Sequence, residues 1–162
     1  MTMDQVKGVD NMLRTKLQCS PLPTDAVTDI RCNGLPEGSW TIRVDSVDRG
    51  DANTMVTNYY QGGPGTIREH AVLETIVLLM EEPVFDTLRT QEQLGYAVNM
   101  TLRNTYGVLG LSVTVNTQAT KFTAEHVEQR IENFFSDFLS EHLTEEAVTE
   151  AINALIKLKV LI

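Results

Sequence analysis

Residues 108–115 read VLGLSVTV, and from Leu109 onward apolar and polar side chains alternate. This period of two is typical of a β-strand that buries one of its faces. A second β-rich segment, residues 95–103, precedes it, and Asn104-Thr105-Tyr106-Gly107 separates the two segments as a turn does. We therefore predict two strands, 95–103 and 107–117, at the centre of the fold.

Amphipathic helices flank this strand pair on both sides. Upstream, residues 66–82 carry apolar residues mostly on one face, and Pro83 is expected to end that helix before a shorter one over 84–94. Downstream, Thr123 and Thr144 each stand at the position of a helix cap before an apolar stripe. The stripes consist of Val127, Ile131, Phe134, Phe135 and Leu139, and of Val148, Ile152, Leu155 and Leu158.

Two further strands are predicted before the first long helix. Residues 40–44 alternate apolar and polar side chains, and residues 54–61 are rich in Val, Thr and Tyr. Residues 26–33 are consistent with another short strand. Pairs of strands followed by pairs of helices do not fit a doubly wound parallel sheet, so we predict an α+β fold with a mostly antiparallel sheet and helices packed on one face.

The 162 residues correspond to one ordinary domain. A short amphipathic helix is predicted over 3–18, and Pro21-Leu22-Pro23 ends it. We interpret 1–20 as the tail of a preceding domain with its linker, and 21–162 as the domain itself. The apolar residues Val160-Leu161-Ile162 have no helix cap after them, so we expect the domain to be incomplete at this end.

Composition excludes several classes of protein. The net charge is −9, so a nucleic-acid-binding protein, which needs a basic surface, is not expected, whereas basic peptides would suit the acidic surface. The longest apolar run, residues 76–80, is far too short to cross a membrane, so no membrane partner is expected. Without a signal peptide at the N-terminus, and with Cys19 and Cys32 interpreted as reduced thiols, we expect a cytoplasmic protein.

The three histidines do not complete a metal site. His70 and Glu74 stand four residues apart on the predicted helix 66–82, but neither H-E-x-x-H nor H-x-x-E-H occurs in the chain. Zinc takes three protein ligands even in a catalytic site. We therefore expect no metal and no other cofactor to be bound by this chain, and we expect His126 and His142 to face solvent on helices.

A distinctive segment joins the helical part to the strand pair. In residues 81–96, EEPVFDTLRTQEQLGY, Arg89 lies on the short helix, Gly95 allows a turn, and Tyr96 opens a strand. Arginine and tyrosine are both hydrogen-bond donors, so the two could converge on one acceptor such as a peptide carbonyl. The alternative is structural: Arg89 pairs with a neighbouring acid, and Tyr96 packs at the edge of a strand.

This segment resembles the C-terminal half of the pitrilysin-type zinc metalloendopeptidases, the insulin-degrading-enzyme family. The motif E-P-x-F-[DN]-x-L-R-T-x-x-x-L-G-Y is present over Glu82–Tyr96. Further matching segments lie at 57–61, 107–121 and 154–159, so that the resemblance covers nearly the whole chain.

The resemblance implies a long enzyme of four similar α+β domains in two halves around a chamber. The first domain carries the zinc ion and the catalytic residues, and the fourth has the same fold without the zinc site. The chain would be the end of the third domain with the first two thirds of the fourth, and it would have no peptidase activity alone. Arg89 and Tyr96 would bind the substrate backbone at a zinc site on the catalytic N-terminal half of the same enzyme. Peptides, in particular basic or dibasic ones, would be its substrates.

Two other functions stay open on the sequence. The chain could be an independent peptide-binding or scaffold protein, a truncated product that acts on a partner. It could also be a degenerate fragment without function.

Overall fold

The structure is a computed structural model that describes residues 2–18, 20, 22–28, 30 and 32–160. The chain divides into two compact units, residues 1–31 and 32–162. The first unit consists of helix α1 (Met3–Leu17), which confirms the helix predicted there, and a 3-10 turn, Thr24–Ala26. Thr2 and Gln5 cap α1 reciprocally, each side chain accepting from the other backbone N–H. Cys19 and Pro21 lie outside the described residues.

The second unit contains a three-stranded antiparallel sheet. Its strands are β1 (Asn53–Pro64), β2 (Ala97–Thr105) and β3 (Val108–Gln118), in the spatial order β1-β3-β2. The strand of the alternating segment is therefore central, and Val115 pairs with Val56 on one side and with Val98 on the other. The α+β prediction with an antiparallel sheet is confirmed.

The turn between β2 and β3 has the backbone that a two-residue hairpin requires. Tyr106 has φ 50 and Gly107 has φ 87, both in the left-handed region, as in a type I′ turn. Glycine takes this conformation without steric cost, and Asn104 Oδ1 accepts from Gly107 N at 3.0 Å. The predicted connection at 104–107 is confirmed.

Three helices complete the second unit: α2 (Ile67–Val84), α3 (Ala124–Glu141) and α4 (Glu145–Val160). A threonine hydroxyl caps each of them. Thr66, Thr123 and Thr144 accept from the backbone N–H three residues later, each at 3.2 Å. The predicted starts of all three helices are thus confirmed.

The core lies between the sheet and helices α2 and α3, on one face. Odd-numbered residues of β3 point into it, and α4 packs against α2. The buried apolar residues of this core are Met80, Val84, Leu88, Leu94, Val98, Met100, Val113, Val115, Val127, Ile131, Phe134 and Phe138. The opposite face is polar, with the Thr57 and Thr114 hydroxyls 3.0 Å apart across the strand pair. No helix in the described ranges is both long enough and apolar enough to cross a bilayer.

Two predicted strands are wrong. Residues 40–44 form no strand, and Trp40, Ile42 and Val44 are mostly exposed. Residues 26–28, 30, 32 and 33 form no strand either, while Asp29 and Arg31 lie outside the described residues. Alternation makes a strand only where a neighbour supplies the hydrogen-bond ladder and a second layer covers the apolar side. The described residues provide neither for 40–44.

We predicted from the sequence that Pro83 ends helix α2, and this is wrong. The helix continues to Val84 and passes directly into a π-helix, Phe85–Gln91, which replaces the separate helix predicted over 84–94. A proline inside a helix removes one backbone N–H donor. Burial of Met80, Val84 and Leu88 on one side of this continuous segment keeps it helical in spite of that loss.

Candidate functional site

The π-helix carries Arg89 to the point where the chain turns into β2. Leu88, the residue before it, is completely buried and fixes the π-helix against the core. Beyond the helix, Glu92 N donates to Thr87 O at 2.9 Å, and Leu94 N donates to Leu88 O at 3.0 Å. Most of the backbone on either side of Arg89 is thus held by hydrogen bonds or by the core.

Gly95 is required for a different reason from the one we predicted. The left-handed residue of the turn is Gln93, with φ 53, and not Gly95. A Cβ on Gly95 would lie 2.1 Å from the backbone oxygen of Asn116, closer than any real Cβ contact. The glycine therefore lets the chain lie directly against β3, where Tyr96 N donates to the same Asn116 oxygen at 3.0 Å.

The structure brings the two predicted substrate-binding residues together. Arg89 Nε donates to the backbone oxygen of Tyr96 at 3.2 Å. Guanidinium has five N–H donors, so four remain for another acceptor. Tyr96 is 58% exposed, so the residue lies at the surface of the turn.

The acids nearest to Arg89 in sequence have other partners. Asp86 accepts from the side-chain amide of Gln91 at 2.7 Å, and Glu92 accepts from Arg130. Among the described residues no carboxylate lies within 4.0 Å of the Arg89 guanidinium. The pairing of Arg89 with a neighbouring acid, as in the structural alternative, is thus not seen among the described residues.

The glycine-rich segment before α2 is explained by packing. A Cβ on Gly65 would contact the Leu109 side chain at 2.5 Å, and one on Gly62 would lie 3.1 Å from the Leu109 backbone oxygen. At the N-terminus of α2, Glu69 accepts from Thr66 N at 2.7 Å. An acidic side chain thus occupies the position where an anion such as phosphate would bind.

His70 and Glu74 are neighbours on α2, but a lysine completes the group. His70 Nδ1 lies 3.6 Å from one Glu74 oxygen, and Lys159 Nζ of α4 donates to the other at 2.7 Å. The hydrogen bond from Lys159 lowers the pKa of Glu74. This donor set does not fit zinc, because two ligands are too few and the carboxylate already has a cationic partner. No group of three metal-ligating side chains occurs in the part of the chain that the structure describes.

The other two histidines lie elsewhere. Both His126 and His142 are exposed on or beside α3, as predicted, and His126 stacks on Phe122 with ring centroids 5.2 Å apart.

The same part of the chain matches a family of known proteins. A family model described as PQQ synthase PqqF-like, C-terminal lobe domain 4, covers residues 75–159, just over half of the chain. The chain belongs to this PqqF-like domain family. The matched range includes Arg89 and Tyr96 with the whole turn between them.

Similar proteins agree with this assignment. Nardilysin of Homo sapiens is 48% identical over 116 residues, which are 72% of this chain and 10% of that protein. A nardilysin-like protein of Arabidopsis thaliana is 32% identical over 135 residues, 81% of this chain and 13% of that protein. Insulin-degrading enzyme of Homo sapiens is 30% identical over 110 residues, 68% of this chain and 11% of that protein. The chain thus spans about a tenth of the length of these relatives.

These matches confirm the resemblance to the pitrilysin family. The chain is part of a C-terminal lobe domain of that family.

The sequence analysis missed the residues that hold the turn between Arg89 and Tyr96 in place. Arg130 of α3 binds Glu92 through two hydrogen bonds, of 2.8 and 2.5 Å, and Lys121 Nζ donates to Gln93 O at 3.2 Å. Glu92 lies inside the motif, but its partner is 38 residues away. No periodicity in the sequence points from one residue to the other.

A second network was missed on the other side of α3. Glu132 accepts from the Tyr60 hydroxyl at 2.6 Å and from the Asn58 amide at 2.7 Å. Burial, and then the bond to Glu132, raise the pKa of Tyr60 above its ordinary value. This network ties β1 to α3 and does not include Tyr96, which precedes β2.

Proposed function

We propose that this chain is a non-catalytic C-terminal lobe segment of a nardilysin-like zinc metalloendopeptidase. In this proposal Arg89 and Tyr96 bind the backbone of a peptide substrate at a zinc site carried by another domain. The observation that supports it best is the hydrogen bond from Arg89 Nε to Tyr96 O. That bond joins the guanidinium of Arg89 to the backbone of Tyr96 across the turn.

The chemistry follows from the donors that are left. Zinc, bound on the other domain, would polarise the scissile carbonyl as a Lewis acid. Arg89 and Tyr96 would donate hydrogen bonds to substrate carbonyl oxygens nearby, where negative charge grows as the bond is attacked. Donors fixed in advance are effective because they do not have to reorganise during the reaction.

Substrate and partner follow from the same assignment. We propose peptides as the substrates, with a preference for basic or dibasic ones that would suit the net charge of −9. The partner would be the catalytic N-terminal half of the same enzyme, in the cytoplasm. Comparing cleavage of a dibasic peptide with that of its di-alanine analogue would test the preference, and imaging of a tagged full-length enzyme would test the location.

The test uses Arg89→Ala and Tyr96→Phe in the intact enzyme that contains this segment. Each should lower turnover by about 10²–10³-fold, or about 2.7–4 kcal/mol, if it removes a donor to the developing charge. Zinc content and melting temperature should stay unchanged. Tyr96→Phe is the sharper variant, because it removes only a hydroxyl from a residue that is 58% exposed.

Two matched controls are available in the same unit. Tyr106 is 67% exposed in the β2–β3 turn, at the far end of the sheet from Tyr96, and Arg68 is an exposed arginine on α2. Tyr106→Phe and Arg68→Ala should leave turnover unchanged. Normal kcat/KM in both Arg89→Ala and Tyr96→Phe would remove these residues from the site.

A second candidate is an independent peptide-binding protein. Strand β1 favours it, because this edge strand has 12 residues and no charged side chain, so its free edge could pair with an extended peptide. Titration of the purified chain with a dibasic peptide would test it. Saturable binding that Met55→Lys on β1 abolishes would favour this candidate.

A further inference from the structure

The turn that presents Arg89 and Tyr96 is fastened to α3 at its midpoint. Glu92 is the C-cap of the π-helix and lies between the two residues. Its carboxylate accepts from Arg130 Nε at 2.8 Å and from Arg130 Nη2 at 2.5 Å. A bidentate pair of this kind fixes orientation as well as distance, because two parallel bonds prevent rotation.

The pair is well placed to act as a rigid support. The side chains of Arg130 and Glu92 are only 30% and 22% exposed. Arg130 is flanked on α3 by Val127, Ile131 and Phe134, all buried in the core. The hydrogen bonds that Arg130 donates to Glu92 raise the pKa of Arg130. The fork therefore projects from a helix that is itself immobilised by packing.

Other contacts hold the backbone of the turn, among them the bonds from Leu94 N to Leu88 O and from Tyr96 N to Asn116 O. Lys121 Nζ binds Gln93 O, and Leu94 is buried, but both lie on the Tyr96 side of Glu92. On the Arg89 side, the backbone bond from Glu92 N to Thr87 O closes the last turn of the π-helix. Glu92 is thus the residue through which α3 can hold both donors in one geometry.

We propose that the Glu92–Arg130 pair is a positioning device that aligns Arg89 and Tyr96 for substrate. This inference rests on the proposed function of those two residues. Neither Glu92 nor Arg130 touches the substrate, so their effect passes through the turn. An ion pair that only stabilised the fold would change the melting temperature and leave the alignment of Arg89 untouched.

The first experiment measures alignment in this chain, without any activity assay. The Arg89 Nε–H is followed by NMR, since its bond to Tyr96 O should slow its exchange with solvent. Glu92→Gln and Arg130→Lys should both speed this exchange, because the first weakens the fork and the second removes it. The double variant Glu92→Arg with Arg130→Glu restores the opposite charges and should recover slow exchange.

The second experiment measures turnover in the intact enzyme. Glu92→Gln and Arg130→Lys should each lower kcat on a peptide substrate by about 10–100-fold, as a misplaced binding group does, with a smaller change in KM. The double variant should recover most of that loss. Arg43→Gln is the matched control, since Arg43 pairs with Glu125 of the same helix and, among the described residues, forms no ion pair with the turn; it should leave kcat unchanged.

The outcomes separate the two proposals. If Arg89→Ala is impaired while Glu92→Gln and Arg130→Lys turn over normally, the positioning role is wrong and the proposed function stands. If Arg89→Ala and Tyr96→Phe are both normal, the proposed function is wrong and the positioning role falls with it. A lower melting temperature in Glu92→Gln with unchanged Arg89 Nε–H exchange would also overturn the positioning role.

Discussion

Replacing Gly95 by alanine tests whether the turn must lie against the central strand. The new Cβ would meet the Asn116 backbone oxygen at 2.1 Å and its carbonyl carbon at 2.8 Å. These atoms belong to β3, which is paired on both sides and cannot rotate away as a side chain could. The start of β2 must therefore move outward, and the bond from Tyr96 N to Asn116 O should lengthen or break.

The size of the effect follows from these two contacts. Overpacking of a tight site costs about 1–3 kcal/mol, and a lost backbone hydrogen bond about 0.5–1.5 kcal/mol, so the sum is about 1.5–4.5 kcal/mol. In a domain of this size, that corresponds to a melting temperature lower by roughly 3–18 °C. Thermal unfolding followed by circular dichroism measures it.

Gly63→Ala is the control for this experiment. Gly63 also lies near the end of a strand, but a Cβ there would have nothing within 4 Å. Its melting temperature should stay close to that of the wild type, within about 0.5 kcal/mol of stability. If the melting temperature of Gly95→Ala equals that of Gly63→Ala, the close approach to Asn116 does not constrain the turn and our explanation of Gly95 is wrong.

Three further predictions concern the surface of the second unit. Because its pKa is lowered in the folded state, Glu74 bound to Lys159 stabilises the fold above its ordinary pKa of 4.5 and loses that contribution as the pH falls through the lower, folded-state value. The free energy of unfolding should therefore differ between wild type and Lys159→Met by about 0.2–1 kcal/mol near neutral pH, and the difference should be absent in strong acid. A difference that stays constant with pH would point to packing. The purified chain should self-associate in sedimentation velocity through the uncharged edge of β1, and Met55→Lys should reduce this; a monomeric wild type would contradict it. The purified chain should also retain no stoichiometric zinc after dialysis and cleave no peptide, and a metal content near one per chain would refute this.

Local sequence rules predicted the regular elements well. Alternation in residues 108–115 predicted β3, and a threonine before each apolar stripe predicted the starts of α3 and α4. These features depend on neighbours within a few residues, so the sequence carries them completely. The strand predicted at 40–44 failed because alternation describes a side-chain pattern, whereas a strand also needs a hydrogen-bonded neighbour.

The supports of the candidate site could not be predicted in the same way. The motif identified Arg89 and Tyr96, and their spacing allowed them to converge. Their support by Arg130 depends on α3 crossing behind the turn, which is a property of the topology. Pro83 illustrates the same limit, because the cost of one missing N–H is local while the packing that outweighs it comes from the whole core.

The ion pair between Lys159 and Glu74 has a consequence for the folding of this domain. A metal ion must be captured from solution, and folding that depends on it stops when the metal is scarce or chelated. A lysine is part of the chain, so its charge arrives with the polypeptide and is never limiting. The α2–α4 contact can therefore assemble during synthesis whatever the cell's supply of metal.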